Sequence, residues 1–506
     1  MSQINRRKLL QSCAIIGASA TLPSWVYALD TGSCAVKTRY NVNSPQGLAM
    51  LEIYAGAVRK MMDATLYPEG DPRSWLFQWY THMVRSDIKK DNEIKRVYPS
   101  DSANKKLAEQ MWSTCHSHSG QRKDFFLPWH RMYVAYFEQI IRRVSGNYCF
   151  TLPYWDYTDK TQQSLPEQFR KENDPVWGPL FRPNRYDKVN AGGNVTEGAS
   201  DLNLECMKSI NYSKADGQGA GFCANLDQAP HGALHDDVGN EQGMGEVPWA
   251  ANDPIFWLHH CNIDRIWASW NFAGGKNPAD PEFLAKQFVF ATDAGGIVMA
   301  TVKDVLTIPK NTYDRYLSRP AGSPAFIKVL KKPQQNLFLL HAATGSVQES
   351  GPIVLGKKPV STNLQGQKAN VGLLQSNSLF SLQLKKLKET TSMHLLLEGL
   401  AANGKVQGAF DIYVHGADNV KLEKYGPAYV GQINFFGAGE MHDHGNHAPA
   451  NASAVDDNAV SFLLRPATRK LLKDSKTDTP KVTLIPTALV NEGATPSVAR
   501  ISLVAS

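Results

Sequence analysis

Asn252-Asp253-Pro254-Ile255-Phe256-Trp257-Leu258-His259-His260-Cys261-Asn262-Ile263-Asp264-Arg265-Ile266-Trp267 is a dense apolar and aromatic run that holds two adjacent histidines and two carboxylates. It reads as a helix over Pro254 to Trp270, and a helix of that composition is buried. Buried histidines need partners, and a ligating histidine usually gives its second ring nitrogen to a carboxylate or a carbonyl. Asp253 and Asp264 are the expected partners.

Just upstream, Pro230-His231-Gly232-Ala233-Leu234-His235 spaces two histidines four apart, so on a helix both imidazoles leave one face within reach of one ion. A second group lies earlier, where His82, His116, His118 and His130 fall in one stretch. There Phe125-Phe126-Leu127-Pro128-Trp129-His130-Arg131 puts a histidine at a helix start behind a wall of aromatics, a shell that controls solvent access to a metal. Two groups among 14 histidines suggest two metal sites. Neutral imidazoles without thiolate or carboxylate suit copper, zinc, iron or nickel, and ligand type alone goes no further.

Around these groups the first 320 or so residues read as mainly helical with long loops. Apolar positions recur at helical spacing through Leu48, Leu51, Tyr54, Ala55, Val58 and Met62, a turn follows at Pro68-Glu69-Gly70-Asp71-Pro72, and a helix starts near Ser74. Another covers Arg131 to Val144, and loops run from Asp159 to Asn225. Beyond Pro320 the segments Phe338 to Leu340, Leu379 to Leu384, Met393 to Leu397, Phe410 to Val414, Val460 to Leu464 and Val482 to Ile485 are short and separated by turn residues. They predict an all-β, sandwich-like module.

At 506 residues the chain has room for two or three domains, and 42% apolar with 20% charged residues is a globular composition. Asn5-Arg6-Arg7-Lys8-Leu9-Leu10, the apolar Cys13 to Ala18 and the small-residue site Val26-Tyr27-Ala28 resemble a twin-arginine export signal spanning residues 1–28. That pathway carries folded cargo, which suits a protein loaded with metal, and implies a periplasmic or secreted product. Loss of Arg6, Arg7 and Lys8 would take the formal charge from +7 to +4, too mild to point to nucleic acid. No later run approaches the roughly 18 apolar residues of a membrane span. Six cysteines remain after Cys13, and Cys206 with Cys223 is the nearest local pair for a disulfide.

Phe126-Leu127-Pro128-Trp129-His130-Arg131, with Val134 and Glu138 after it, resembles the copper A signature of tyrosinases and catechol oxidases. Asp253-Pro254-Ile255-Phe256, then His260 and Asp264, resembles their copper B signature, and Asp71-Pro72-Arg73-Ser74-Trp75 with Gln78 and His82 is similar to the segment of plant-type polyphenol oxidases that supplies the first copper A histidine. The likeness runs from about Arg39 to the tyrosine motif Tyr313-Asp314-Arg315-Tyr316. It implies a four-helix bundle around a dicopper site over residues 29–320, a linker over 321–350 and a β domain over 351–506 that covers the active site. Phe410-Asp411-Ile412-Tyr413-Val414 resembles a strand of that domain in plant enzymes, where the domain can hold the enzyme latent.

Carried over position by position, two copper ions would be held by His82, His118 and His130 and by His231, His235 and His260. The stretch from His118 to His130 is longer than in the family, so Gly120-Gln121-Arg122-Lys123 reads as an insertion and His116 is the alternative second ligand. His259 reads as a neighbour of the ligand His260. Asp227 stands where plant-type enzymes keep a water-holding acid, Gly232 replaces their asparagine, and Val247 falls where a bulkier gate residue stands. Cys115 lies near the position of the cysteine that some relatives join to a histidine by a thioether. The resemblance implies oxidation of monophenols and ortho-diphenols to ortho-quinones with O2. A catechol or ortho-aminophenol oxidase, an oxygen carrier of the haemocyanin kind and a structural zinc protein are the alternatives. His442-Asp443-His444-Gly445-Asn446-His447 is a further histidine cluster, read as a loop that is solvated or loads copper transiently. Oligomeric state is not legible.

Overall fold

The computed structural model describes residues 37–115, 123–196, 202–213 and 220–323, and between 353 and 505 the segments named below. The 1–28 segment and the linker from 324 to 350 lie outside the described residues.

Helix α1 (Pro45–Met62) begins on Ser44, whose hydroxyl accepts from the Gly47 N–H, with Pro45 in the first turn where a missing N–H costs little. It buries Leu51, Tyr54, Ala55 and Val58 as expected, but Leu48 is 39% and Met62 36% exposed, so the apolar stripe starts a turn later and ends on Met61. Helix α2 (Trp75–His82) is capped by Ser74, which accepts from the Phe77 N–H. Helix α3 (Phe126–Ser145) starts earlier than Arg131, so that His130 sits in its opening turns, and it ends on Gly146 at φ +74°, the left-handed position glycine adopts freely. A kinked wide turn over Asp227–Gly232, with Ala229 extended, leads into α4 (Ala233–Val238). Helix α5 (Ile255–Phe272) is buried over nearly all its length, and the Asp253 carboxylate accepts from the Ile255 N–H at its start (3.1 Å). One aromatic-rich core joins these helices. A hairpin, β1 (Gln287–Ala291) with β2 (Ile297–Thr301), closes one side of the bundle.

Two antiparallel sheets form the C-terminal module. One has the order β5 (Ala369–Gly372), β10 (Lys481–Pro486), β7 (Phe410–His415), β8 (Tyr429–Ile433); the other runs β3 (Ile353–Lys358), β11 (Thr495–Ala505), β6 (Met393–Asn403), β9 (Val460–Leu463), with β4 (Thr362–Asn363) also on β11. Phe410, Ile412 and Val414 of one sheet and Leu395, Leu397, Ile501 and Leu503 of the other share a core, so the sheets pack face to face as the alternation requires. The all-β expectation missed α6 (Pro466–Ser475), where helix-forming residues after Pro466 bury Leu472 and Thr468. Of the expected strands, Phe338 to Leu340 and Leu379 to Gln383 lie outside the described residues. No helix among the described residues is long and apolar enough to cross a membrane.

Candidate metal centre

Four helices converge on two groups of buried donors. His82 at the end of α2 and His130 in α3 lie with Cys115, their donor atoms within 4.8 Å of one another; His231 in the wide turn, His235 in α4 and His259 and His260 in α5 form the other group on the same criterion. The groups face each other: the rings of His130 and His260 stack at 4.2 Å and 7°. Phe256 lies 5.0 Å from the His82 ring and 4.2 Å from His260, and Phe126 lies 4.8 Å from His130 and 4.6 Å from His231, so aromatics wall the space between.

The second ring nitrogens go to carbonyls, not to the two carboxylates of the α5 segment. His82 Nδ1 donates to Val247 O (3.1 Å), His130 Nδ1 to Phe126 O (2.9 Å) and His235 Nδ1 to Met244 O (2.8 Å). A carbonyl only accepts, so Nδ1 carries the proton and Nε2 keeps its lone pair for the centre. His231 Nδ1 lies 3.2 Å from Asp227 O and 2.9 Å from the Asp227 carboxylate, the one carboxylate partner of these rings among the described residues. Asp264 instead accepts from Arg39, Arg131 and Tyr313, and Asp253 from Arg185. The expectation that Asp253 and Asp264 orient the histidines is thereby corrected: distant stretches of chain bring arginines to them first. Val247, read as a gate, is buried, and its main chain fixes His82.

His260 tests whether a metal fits. It is 1% exposed, and among the described residues neither of its ring nitrogens has a hydrogen-bond partner, nor has Nε2 of His259. A buried nitrogen left this way costs about 1–3 kcal/mol unless something coordinates it. The donor set of neutral imidazoles, with the Cys115 Sγ 3.6 Å from His130 Nε2, suits copper. His259 also reaches Tyr157 OH through Nδ1 (2.8 Å).

Burial pushes the His82 pKa down to about 3, helped by the neighbouring His231, and burial holds His130, His235, His259 and His260 well below the ordinary histidine value, with the other imidazoles adding to it. In the unfolded chain these groups take up protons below about 6.5. The unfolded state thus binds more protons between about 6.5 and the depressed folded values, so the fold without copper loses stability as pH falls through that window and feels no such penalty above it. The thermal midpoint of copper-free protein is expected to drop from pH 7 to pH 5; a flat profile would show the imidazoles already solvated.

The C-terminal module reaches into this centre. Phe436, in the loop after β8, stacks on His235 at 4.3 Å and 9° and lies 6.0 Å from His231. Gln228 and Asn434 clasp the loop, each side-chain amide donating to the other's carbonyl at 2.8 and 2.6 Å. Gly232 is the residue that admits it: a Cβ there would meet Asn434 Oδ1 at 2.9 Å and Phe436 Cβ at 3.2 Å. Phe436 escaped the sequence reading; its only signal is the Phe435-Phe436-Gly437 end of a strand far along the chain. His116, His118, Gly120 to Arg122 and the His442 to His447 cluster lie outside the described residues. Cys206 and Cys223 are thiols not joined by a disulfide, which corrects the expected pairing, and burial pushes both up. Cys149 is disulfide-bonded, and Cys115 and Cys261 are thiols.

The family model for the common central domain of tyrosinase matches residues 72–198 and 183–273. A tyrosinase of Hahella sp. is 32% identical over 299 residues, covering 54% of this chain and 61% of that protein. A chloroplastic polyphenol oxidase of Malus domestica is 28% identical over 335 residues, covering 58% of this chain and 54% of that protein. The chain thus spans between half and two thirds of the length of these two relatives. The solved latent apple tyrosinase superposes with a TM-score of 0.57 at 21% identity, covering 94% of this chain and 99% of that one. A latent aurone synthase does so with a TM-score of 0.57 at 18% identity, covering 94% and 90%. Both likenesses extend through the β module.

Proposed function

We propose that the chain is a member of the tyrosinase and polyphenol oxidase family, whose cofactor is a pair of copper ions, and that it oxidises monophenols and ortho-diphenols to ortho-quinones with O2. The observation that carries this is the two facing groups of neutral imidazoles, joined by the His130 and His260 stack. His82, His118 and His130 would hold one copper, and His231, His235 and His260 the other. The coppers supply the electron exchange with O2 that side chains cannot perform.

The chain's own residues do the rest. Carbonyls of Phe126, Val247 and Met244 lock the imidazole tautomers, so these lone pairs are aimed before metal or substrate arrives. Phe126 and Phe256 exclude water and give a phenol ring an apolar wall. Asp227 orients His231, and its carboxylate is the base at hand for a monophenol hydroxyl. Val247 would set the width of the mouth. Gly232, where hydroxylating relatives keep an asparagine, favours a second reading in which only ortho-diphenols, or ortho-aminophenols, are oxidised. The likeness of residues 1–28 to an export signal supports a location outside the cytoplasm.

We read the β module as a shield, with Phe436 lying where a phenol ring would stack on His235. Phe436→Ala removes a ring contact of about 0.5–1.5 kcal/mol, which is about a 2- to 10-fold shift toward the open state. Diphenol oxidation by the untreated enzyme is expected to rise by that factor, and Gly232→Asn, by crowding Asn434, is expected to raise it too. Unchanged rates in both would remove the shield. The activity itself is tested by O2 uptake of copper-loaded protein, before and after limited proteolysis, on a monophenol and the matching diphenol. Uptake with both establishes the proposal, uptake with the diphenol alone the second reading, and reversible O2 binding without turnover an oxygen carrier.

A further inference from the structure

Between the helical domain and the β module lies a cavity of about 150 Å³ that none of the metal-site histidines lines. Ser209, Asn225 and Gln228 wall it on one side and His394, Val430 and Asn434 on the other. The inter-module clasp borders it: the Gln228 and Asn434 pair, Ser461 N–H donating to Asn225 Oδ1 (3.1 Å) and the Ser461 hydroxyl to Ala220 O (3.0 Å). The ion pair at its rim among the described residues, Lys208 with Glu205 at 2.6 Å, closes on itself and leaves no net charge to attract an ion.

A cavity of about this volume accommodates a benzene-sized ring when its walls are apolar. Here the wall mixes aliphatic side chains with amides and hydroxyls, and His394, whose side chain makes no hydrogen bond among the described residues, is one of the residues that line it. Burial pushes the His394 pKa down to about 4, so the ring is neutral and able to meet a hydroxyl. We propose that this cavity binds one neutral aromatic molecule bearing a hydroxyl, which hydrogen-bonds to His394, and that occupancy holds the β module over the metal centre. The first half stands on the cavity alone; the second rests on the shield reading. Because the two walls come from different modules, only the docked state presents both of them to the ligand, and binding stabilises that state by mass action. A phenol at high concentration would thereby restrain its own oxidation.

The probe is 4-fluorobenzyl alcohol, a single ring that cannot become a quinone, observed by fluorine NMR with the copper-loaded full chain. Saturable binding is expected, weakened at least tenfold by Val430→Trp and, as a second filling variant, by Ala409→Leu. His394→Phe is expected to weaken the alcohol several-fold and leave 4-fluorotoluene unchanged. At ten times its dissociation constant the probe is expected to slow proteolytic activation about tenfold. Binding that is absent, or indifferent to both filling variants, overturns the site. Cavity-dependent binding with an unchanged activation rate overturns the coupling, and the Phe436→Ala rates without probe judge the shield separately.

Discussion

Asp264→Ala is expected to destabilise the helical domain by about 3–5 kcal/mol, enough to lower its thermal midpoint by roughly 10 °C. The carboxylate is 4% exposed and accepts from Arg39 (3.0 Å), from Arg131 and from the Tyr313 hydroxyl (2.6 Å), while Arg39 also pairs with Glu138 at 2.7 Å. Burial alone would push this carboxyl up, but the Arg131 and Arg39 guanidiniums hold it below the usual carboxylate range. Its loss leaves Arg131, 3% exposed, without a carboxylate and Arg39 with Glu138 alone among the described residues. Arg131 lies over the Trp267 ring at 3.7 Å, which cannot replace a charge partner. The network ties the N-terminal segment, α3, α5 and the Tyr313 turn, so α3 and α5 hold their facing histidines in register through it. Denaturant unfolding of the copper-free variant measures the effect, and a loss below about 1 kcal/mol would mean that water enters and relaxes the site.

How much of this was legible follows from what each feature depends on. Ser74 as a cap, the apolar stripe of α1 and the all-round burial of α5 are local, carried by periodicity and hydroxyl placement within a few residues. That His82, His130, His231 and His235 would be buried donors grouped together was legible for the same reason, since each sits on or beside a helix whose face is set by its own sequence. The roles of Asp253 and Asp264 were not. A carboxylate four residues after His260 reads as its partner along one helix, yet Arg39 and Tyr313 arrive from both ends of the domain and take it. Carbonyl partners such as Val247 O are invisible in principle, because every residue carries one. Phe436 was hidden by sheet topology: its place beside His235 depends on how a loop of the β module docks, and only Gly232, read as a missing asparagine, hinted that something needed the room.

His260→Ala is expected to remove about half of the bound copper and to lower O2 uptake with diphenol by at least about 100-fold. Substituting even a group that only orients a ligand costs about 10–100-fold, and a ligand costs more. The neighbour His259 makes the comparison informative, because both imidazoles belong to the same donor group and both carry a nitrogen without a partner among the described residues. Their surroundings differ. His259 is tethered through Nδ1 to Tyr157 OH and stacks on His231 at 5.2 Å, whereas His260 has no such tether among the described residues and faces His130 across the gap between the two groups. A ring held by a hydrogen bond can serve as packing, whereas a fully buried ring with both nitrogens unmet among the described residues is the better placed of the two to hold a metal. His259→Ala should therefore keep its copper and lose activity by about tenfold through the misplaced His231. Metal analysis of the two variants alongside circular dichroism decides between them. Copper lost from His259→Ala and kept by His260→Ala would reverse the assignment, and copper lost equally from both would mean that the second site uses the pair together.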